Sequence, residues 1–213
     1  MDERRRQIAA ELLADAQRHD ASREDRLERF RCLEADSAQL LWILARAAGA
    51  TELLELGTSI GHSTLWLADA AAANGGTLLS LDIDAGRSAA AASHLERAGL
   101  VAELRVADAG EVLAAAGDAG WDLVFLDAER PDYPGYWPDL LRTLRRGGLL
   151  VVDNVLSHAD QLTEFTALVE GEPGVISSVV ETGAGMRLIL RDSSVRRPGW
   201  RWSAGAAGRS PRR

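Results

Sequence analysis

The chain has 213 residues, 46% of them hydrophobic, which is enough apolar material for one ordinary domain with a buried core. Its net charge is −8. The last 22 residues hold six arginines and one acidic residue, so the remainder, with 18 arginines against 31 acidic side chains, has a formal charge of −13. Such an acidic body repels a nucleic-acid backbone, and we expect no nucleic-acid partner.

Hydropathy and cysteine content point to a cytoplasmic protein that does not bind membranes. No apolar run approaches the roughly 20 residues that a membrane-spanning helix needs, and the first residues, MDERRRQ, lack the apolar stretch of a signal peptide. The single cysteine, Cys32, excludes an intrachain disulfide and a zinc site of the CxxC type, and it fits a reducing compartment.

Three helices are predicted before the first strand. Residues 4–19 have the charged, amphipathic pattern of a helix. Ser22 begins a capping-box pattern, which predicts a second helix with Phe30 on its inner side. A third helix is predicted from about Asp36, where leucines recur at helical spacing.

From residue 51 onward, short apolar runs alternate with helical patterns. The runs are TELLEL, TLLSLD, VAELRV, WDLVFLD and GLLVVDN, which begin at residues 51, 77, 101, 121 and 148. Helix-like stretches lie between them, at residues 63–73, 85–98, 109–116 and 134–145. Nearly continuous apolar strands separated by helices are typical of a parallel sheet with helices on both faces.

A hairpin is predicted to complete the sheet. After a helix near 159–169, VISSVVE and MRLILR are joined by the Gly-rich TGAG, which predicts an antiparallel hairpin at the sheet edge. The predicted fold class is therefore α/β, with a doubly wound, Rossmann-like sheet of seven strands, mostly parallel. We expect residues 1–191, including N-terminal helices in 1–48, to form a single domain, and residues 192–213 to form a disordered basic tail.

The loop after the first strand has the pattern of a nucleoside site. Residues 55–63, ELGTSIGHS, contain Gly57 and Gly61 as GxxxG rather than GxGxxG. A dinucleotide site typically has a second glycine at the position of Ser59, where it lets the backbone approach a pyrophosphate. The loop therefore favours a nucleoside without phosphates. Ser63, near the following helix N-terminus, is suited to holding a carboxylate. The alternative is a plain tight turn.

Two acidic residues follow the next strands. Asp82 ends the second strand, 25 residues after Gly57, where an acid typically bonds ribose hydroxyls. Asp108 follows the third strand, within reach of an adenine amino group. The alternatives are an exposed strand-end aspartate for Asp82 and an ordinary helix cap for Asp108.

Three oxygen-bearing side chains follow the two remaining parallel strands. Asp127 ends the fourth strand, and Asp153 and Asn154 end the fifth. If these strands are neighbours, their ends lie about 5 Å apart and the side chains converge. Such hard ligands suit Mg²⁺, Mn²⁺ or Ca²⁺ rather than zinc, and a cation offsets the cost of burying two acids. The alternative is a pair of helix caps or hydrogen-bonded aspartates.

Aromatic and histidine side chains near this edge have two interpretations. Tyr133, Tyr136 and Trp137 are placed either to wall a substrate pocket or to pack a helix, and packing is expected for at least one of them. His62 and His158 lie on loops at the same edge, where surface or packing roles are more common than a ligand role.

These motifs together resemble the cation-dependent O-methyltransferases, the family of catechol and caffeoyl-CoA O-methyltransferases and their bacterial relatives. The resemblance covers about residues 30–191. LLELGTSIGHSTLWLA is similar to the family's cofactor loop, LDID to its ribose-binding strand end, and FLDAERPDYPGYWPDLL and GGLLVVDNVL to its two metal-ligand segments. The resemblance implies S-adenosylmethionine as cofactor, held by Leu33, Glu55, Gly57, Ser59, Gly61, Ser63, Asp82, Asp108, Ala109 and Asp127.

The resemblance also implies a metal and a substrate class. Asp127, Asp153 and Asn154 would bind Mg²⁺, or Mn²⁺ or Ca²⁺, and the acceptor would be a hydroxyl of a small catechol-like phenol. Bacterial members are often dimers, so a homodimer is expected. The family usually has a lysine, often assigned as general base, three residues after the first metal-binding aspartate. Here that residue is Arg130, and the chain has no lysine. We expect Arg130 and Asp127 to be catalytic.

Three alternatives remain open on the sequence. A Rossmann-like oxidoreductase is weakened by the missing GxGxxG. A catalytically degenerate member that only binds the cofactor is kept open by Arg130. A metal-independent methyltransferase of small molecules would share the cofactor loop but not the need for a cation.

Overall fold

The computed structural model describes residues 1–25 and 28–192. Within them, seven strands form one sheet: β1 (Glu52–Leu56), β2 (Thr77–Asp82), β3 (Glu103–Val106), β4 (Trp121–Leu126), β5 (Leu144–Val152), β6 (Val175–Val180) and β7 (Met186–Arg191). Their helices are α1 (Glu3–Ala21), α2 (Ala35–Ala47), α3 (His62–Asn74), α4 (Ala85–Ala98), α5 (Ala109–Ala115), α6 (Tyr133–Thr143) and α7 (Thr163–Glu170).

The strand order confirms the predicted sheet. Neighbouring strands follow the order β3-β2-β1-β4-β5-β7-β6. Strands β1 to β5 pair in parallel, whereas β7 runs antiparallel to β5 and β6, which gives the edge hairpin. The order reverses beside β1, which has β2 on one side and β4 on the other. At such a switch point the connections diverge and leave a crevice at the carboxyl ends of the strands.

Helices cover both faces of the sheet, because side chains alternate along each strand. In β4, Leu123 and Phe125 are buried in the core that includes α1, α2, α3 and α4. Val124 and Leu126 are buried in the other core, with α5, α6 and α7. All four side chains are fully buried, which explains why WDLVFL is almost continuously apolar. The crevice therefore lies at the end of a rigid, two-sided core.

The predicted second helix is wrong. Helix α1 extends to Ala21, and Ser22 is its C-cap, with the Ser22 hydroxyl donating to the His19 carbonyl at 2.7 Å. No α-helix is present in the described residues between α1 and α2. The amides of Phe30 and Arg31 donate to the side chain of Asp20 instead of to helical carbonyls. A carboxylate from the preceding helix thus competes successfully with local helix formation.

The remaining differences are at element boundaries. Strand β5 begins at Leu144, four residues earlier than predicted, directly after α6. The predicted helix near 159–169 is divided into a 3₁₀ turn, Ala159–Leu162, and α7. No helix in the described part of the chain is long and apolar enough to cross a membrane. The expected disordered tail lies, after Asp192, outside the described residues.

Candidate active site

A cavity of about 470 Å³ occupies the crevice at the carboxyl ends of β1, β2, β3 and β4. Its size is in the range of small-molecule and cofactor sites. The predicted site residues that line it are Leu33, Gly57, Ser59, Ser63, Asp82, Asp108, Ala109, Asp127, Arg130 and Asn154. The other three, Glu55, Gly61 and Asp153, lie behind this wall.

Both loop glycines are required because neighbouring atoms leave no room for a side chain. Gly57 has φ +109°, and a Cβ there would lie 2.1 Å from the carbonyl oxygen of Asp127. Gly61 has φ +91°, and its Cβ would lie 2.8 Å from Cβ of Ala91 on α4. Both conformations are ones that side chains disfavour. Gly61 therefore sets helix packing, whereas Gly57 lets the cofactor loop contact the strand end that carries Asp127.

Glu55 supports the loop from below rather than facing the cavity. Its Oε2 accepts hydrogen bonds from Thr64 at 2.5 Å and Ser80 at 2.6 Å, and Oε1 has no partner among the described residues. Burial raises the pKa of Glu55 to about 7, although the hydroxyl hydrogen bonds oppose this shift. Glu55 does not line the cavity, and its hydrogen bonds to Thr64 and Ser80 stabilise the loop from beneath.

Glu55→Gln should change how stability depends on pH. The folded pKa of Glu55 is raised above its ordinary value of 4.5, so its contribution to stability is present below that value and lost as the pH rises through about 7. Gln does not ionise, so the variant should gain stability relative to wild type between about pH 5 and pH 8. Urea unfolding of both proteins at the two pH values measures this. If the free energies of unfolding of the two proteins differ by the same amount at both pH values, the raised pKa of Glu55 is contradicted.

Asp82 and Asp108 occupy the edge where a nucleoside would lie. Asp82 Oδ2 accepts from the Ser59 amide at 2.7 Å, and Oδ1 accepts from the Asp84 amide at 2.9 Å. Asp108 is the N-cap of α5 and accepts from the Glu111 amide at 2.9 Å, so the helix-cap alternative holds for this residue. Both residues also line the cavity.

The predicted convergence of acidic side chains is present. β4 pairs with β5 in parallel, and the Asp153 amide donates to the Leu126 carbonyl at 3.2 Å, which continues the pairing past the strand ends. Asn154 Nδ2 donates to Asp127 Oδ1 at 3.1 Å and to Asp153 Oδ2 at 2.8 Å. Asn154 has φ +62°, a conformation tolerated by asparagine. Two carboxyls and one amide thus meet at one point.

The cluster of Asp127, Asp153 and Asn154 brings two carboxyls together without a cationic side chain of the described residues between them. Burial raises the pKa of both Asp127 and Asp153, and the charge of Asp127 raises that of Asp153 further. Asp153 Oδ1 is buried with no hydrogen-bond partner among the described residues. A hard divalent cation fits this deficit, since its preferred ligands are oxygens. No group of three or more His, Cys, Asp or Glu side chains is placed for a metal in the described part of the chain, so an amide oxygen would be needed as well.

Arg130 is buried at the cavity wall. Its side chain is 4% exposed, and Nε and Nη1 have no partner among the described residues. The guanidinium charge lowers the pKa of Asp127, although the described residues include no ion pair of Arg130 within 4 Å. The burial of Arg130 excludes a side chain that points to solvent. A buried guanidinium with unused donors is suited to an anionic ligand group.

The aromatic residues divide as expected between core and cavity. The Tyr133 hydroxyl bonds to the backbone of Ala128 at 3.0 Å, and Trp137 packs edge-on against Phe165 with ring centres 5.7 Å apart. Of the three predicted candidates, Tyr136 is the one on the cavity wall.

Several cavity residues were not predicted as site residues. His62 is buried, and burial lowers its pKa to about 4. His158 lies across the cavity, with Nδ1 2.8 Å from the Ser157 hydroxyl. Phe30, Arg31, Cys32 and Arg87 also belong to this set. The residues from Phe30 to Cys32 were missed because they were assigned to a helix, and no local pattern marks them.

The family of the chain follows from its sequence as a whole. The profile of the O-methyltransferase family matches residues 9–191. The chain belongs to this family. Catechol O-methyltransferase from Niastella koreensis is 34% identical over 134 residues, which cover 61% of this chain and 60% of that protein. A probable O-methyltransferase from Mycobacterium tuberculosis is 37% identical over 168 residues, covering 72% of this chain and 75% of that protein.

A solved member of the family has the same fold. The O-methyltransferase TomG from Streptomyces achromogenes, in complex with S-adenosylmethionine, matches with a TM-score of 0.72 and 28% identity, over 90% of this chain and 91% of that one. The predicted family and fold are therefore confirmed.

Proposed function

We propose that this O-methyltransferase transfers the methyl group of S-adenosylmethionine to a hydroxyl of a small catechol-like molecule, with assistance from Mg²⁺, Mn²⁺ or Ca²⁺. The observation that carries this proposal is the convergence of the Asp127 and Asp153 carboxyls on Asn154 beside the cavity, where Asp153 Oδ1 is buried without a partner among the described residues. A catechol acceptor is supported by the name of the Niastella koreensis relative. Two neighbouring hydroxyls suit such a site, because both are able to approach one cation.

The residues that line the cavity would contact each part of the cofactor. We place the ribose against Asp82, the adenine near Asp108 and Ala109, and the methionine carboxylate near Ser63 at the N-terminus of α3. Leu33 would lie at the methionine end. The single loop glycine at the cavity, Gly57, leaves no second close approach for a pyrophosphate, which distinguishes this site from a dinucleotide site.

The proposed metal ligands are Asp127, Asp153 and Asn154. Asn154 directs Nδ2 at both carboxylates, so its amide would turn over to present oxygen. When bound, a divalent cation supplies Lewis acidity that lowers the pKa of a nearby hydroxyl. These residues would contribute alignment by holding the acceptor oxygen against the methyl donor, and alignment alone is worth several kcal/mol.

Arg130 replaces a titratable lysine by a permanent charge. Lysine is able to lose its proton when desolvated, whereas a guanidinium stays protonated. Arg130 therefore stabilises a developing phenolate and does not accept its proton. The proton leaves to water or to His158, which lines the same cavity.

S-adenosylmethionine and its demethylated product should bind, and NAD should not. Asp82→Ala should weaken binding of the nucleoside by about 1–3 kcal/mol, because a hydrogen bond to a charged acceptor is lost. Titration calorimetry with both ligands and both proteins measures this. Tighter binding of NAD than of S-adenosylmethionine would instead favour the oxidoreductase alternative.

A further inference from the structure

One wall of the cavity is an irregular segment that is hydrogen-bonded to residues distant from it in the sequence. Residues 29–33, which we name the strap, connect the region after α1 to α2, and Phe30, Arg31, Cys32 and Leu33 line the cavity. The cofactor loop lies directly beside them, and its Ser59 hydroxyl donates to the Phe30 carbonyl at 2.8 Å. The strap therefore closes the side of the cavity on which the cofactor loop lies.

A single carboxylate on α1 holds the first half of the strap. Asp20 Oδ1 accepts from the Phe30 amide at 2.7 Å, and Oδ2 accepts from the Arg31 amide at 2.9 Å. These two hydrogen bonds lower the pKa of Asp20. The ring of His19 stacks on Phe30 with ring centres 4.0 Å apart. Asp20 does not itself line the cavity, so any effect on a ligand passes through the strap.

The second half of the strap is tied to the loop that carries the proposed chemistry. Arg31 Nη2 donates to Glu129 Oε1 at 3.0 Å, and Glu129 lies between Asp127 and Arg130. Arg31 has φ +52°, a conformation that residues other than glycine disfavour and that persists only where contacts enforce it. The hydrogen bonds of Asp20 and Glu129 on either side supply that enforcement.

We propose that Asp20 is a positioning residue for the cofactor, which holds the strap closed and must release it when the cofactor enters or leaves. This inference rests on the proposed cofactor site. Without the Asp20 carboxylate the strap samples open conformations, and binding of the cofactor must then confine the strap to the closed one. That restriction costs conformational entropy, so affinity for the cofactor falls while the reaction of bound cofactor is largely retained.

Cys32 is the natural reporter of strap opening, because it is the only cysteine of the chain and lies within the strap. Burial raises the pKa of its thiol to about 12, so it should react slowly in the closed state. The experiment measures N-ethylmaleimide labelling of the folded full chain by intact mass, with and without S-adenosylhomocysteine. It compares wild type with Asp20→Asn. In this variant an NH2 group, which is a hydrogen-bond donor, replaces one of the two oxygens that accept hydrogen bonds from the strap amides.

Asp20→Asn should speed labelling of the free protein about tenfold and raise the Kd for S-adenosylhomocysteine by a similar factor, because hydrogen bonds to a charged group are lost. The KM for S-adenosylmethionine should rise correspondingly, with kcat changed by no more than about twofold. Asp15→Asn is the matched control, since Asp15 is exposed on the same helix and pairs with Arg18. It should behave as wild type.

Two results would overturn the inference. One is Asp20→Asn that labels at the wild-type rate and binds with the wild-type Kd. The other is a lowered melting temperature with kcat and KM equally impaired, which would assign Asp20 a merely structural role. If the wild-type protein binds no S-adenosylhomocysteine, the proposed function fails, while labelling rates of the free proteins still decide whether Asp20 holds the strap.

Discussion

Removal of divalent cations with EDTA should abolish methyl transfer to a catechol, and Mg²⁺ or Mn²⁺ should restore it. Asp153 is buried and Asp127 is partly buried at the cavity wall, the pKa values of both are raised, and Asp153 Oδ1 has no partner among the described residues. A bound cation would relieve the repulsion between the two carboxylates and supply Lewis acidity for the acceptor hydroxyl. Activity should be assayed with labelled S-adenosylmethionine before and after chelation.

Thermal stability gives a second readout that does not depend on turnover. Mg²⁺ should raise the melting temperature of wild type, because a ligand that binds only the folded state stabilises it. Asp153→Asn should lose this response and, in EDTA, should be at least as stable as wild type, since a buried carboxyl that repels the neighbouring Asp127 is removed. Asp160→Asn, on the exposed 3₁₀ turn, should respond as wild type. Full activity of Asp153→Ala in excess EDTA would end the metal proposal and favour a metal-independent methyltransferase.

Arg130→Ala should lower turnover at least tenfold, about 1.4 kcal/mol in the activation barrier, whereas Arg130→Lys should retain substantial activity. The physical reason is that Arg130 is 4% exposed, lines the cavity and has unused donors. A fixed positive charge there stabilises a developing phenolate more than the neutral phenol, so its loss affects the transition state most. Turnover of saturated enzyme across about pH 6–9 measures this.

The matched control for Arg130 is Arg105→Ala, which removes an exposed arginine that pairs with Glu103 and does not line the cavity. It should leave turnover unchanged. Unchanged turnover of Arg130→Ala over the whole pH range would refute a catalytic role and leave the cation as the only activator. Binding of the cofactor without turnover by the wild-type protein would support the catalytically degenerate alternative.

The sequence predicted most elements of the sheet because their patterns are local. In β4, WDLVFL is apolar on both faces and is therefore recognisable as a buried parallel strand. TGAG between two apolar runs has the turn chemistry of a hairpin, and β6 and β7 form one. Asp127 and Asp153 were predicted to converge because residues that follow neighbouring parallel strands must meet at one edge.

The strap was predicted wrongly for an equally physical reason. Ser22 followed by acidic residues has the local pattern of a helix start, yet the same hydroxyl ends α1. The outcome was decided by Asp20, which binds two amides ten and eleven residues later. A hydrogen bond between distant residues has no periodicity, so no window of sequence contains it.

The burial of individual charged side chains could likewise not be predicted from the sequence. Glu55 and Arg130 both stand beside motif residues, and both were expected to contact a ligand. The structure places Glu55 under the loop, bonded to Ser80 of the neighbouring strand, and Arg130 at the cavity wall. Residue type and spacing thus determined the sheet, the cofactor loop and the acidic pair. Tertiary structure alone decided which charged groups lose water, because desolvation depends on everything packed around a side chain and not on its neighbours along the chain.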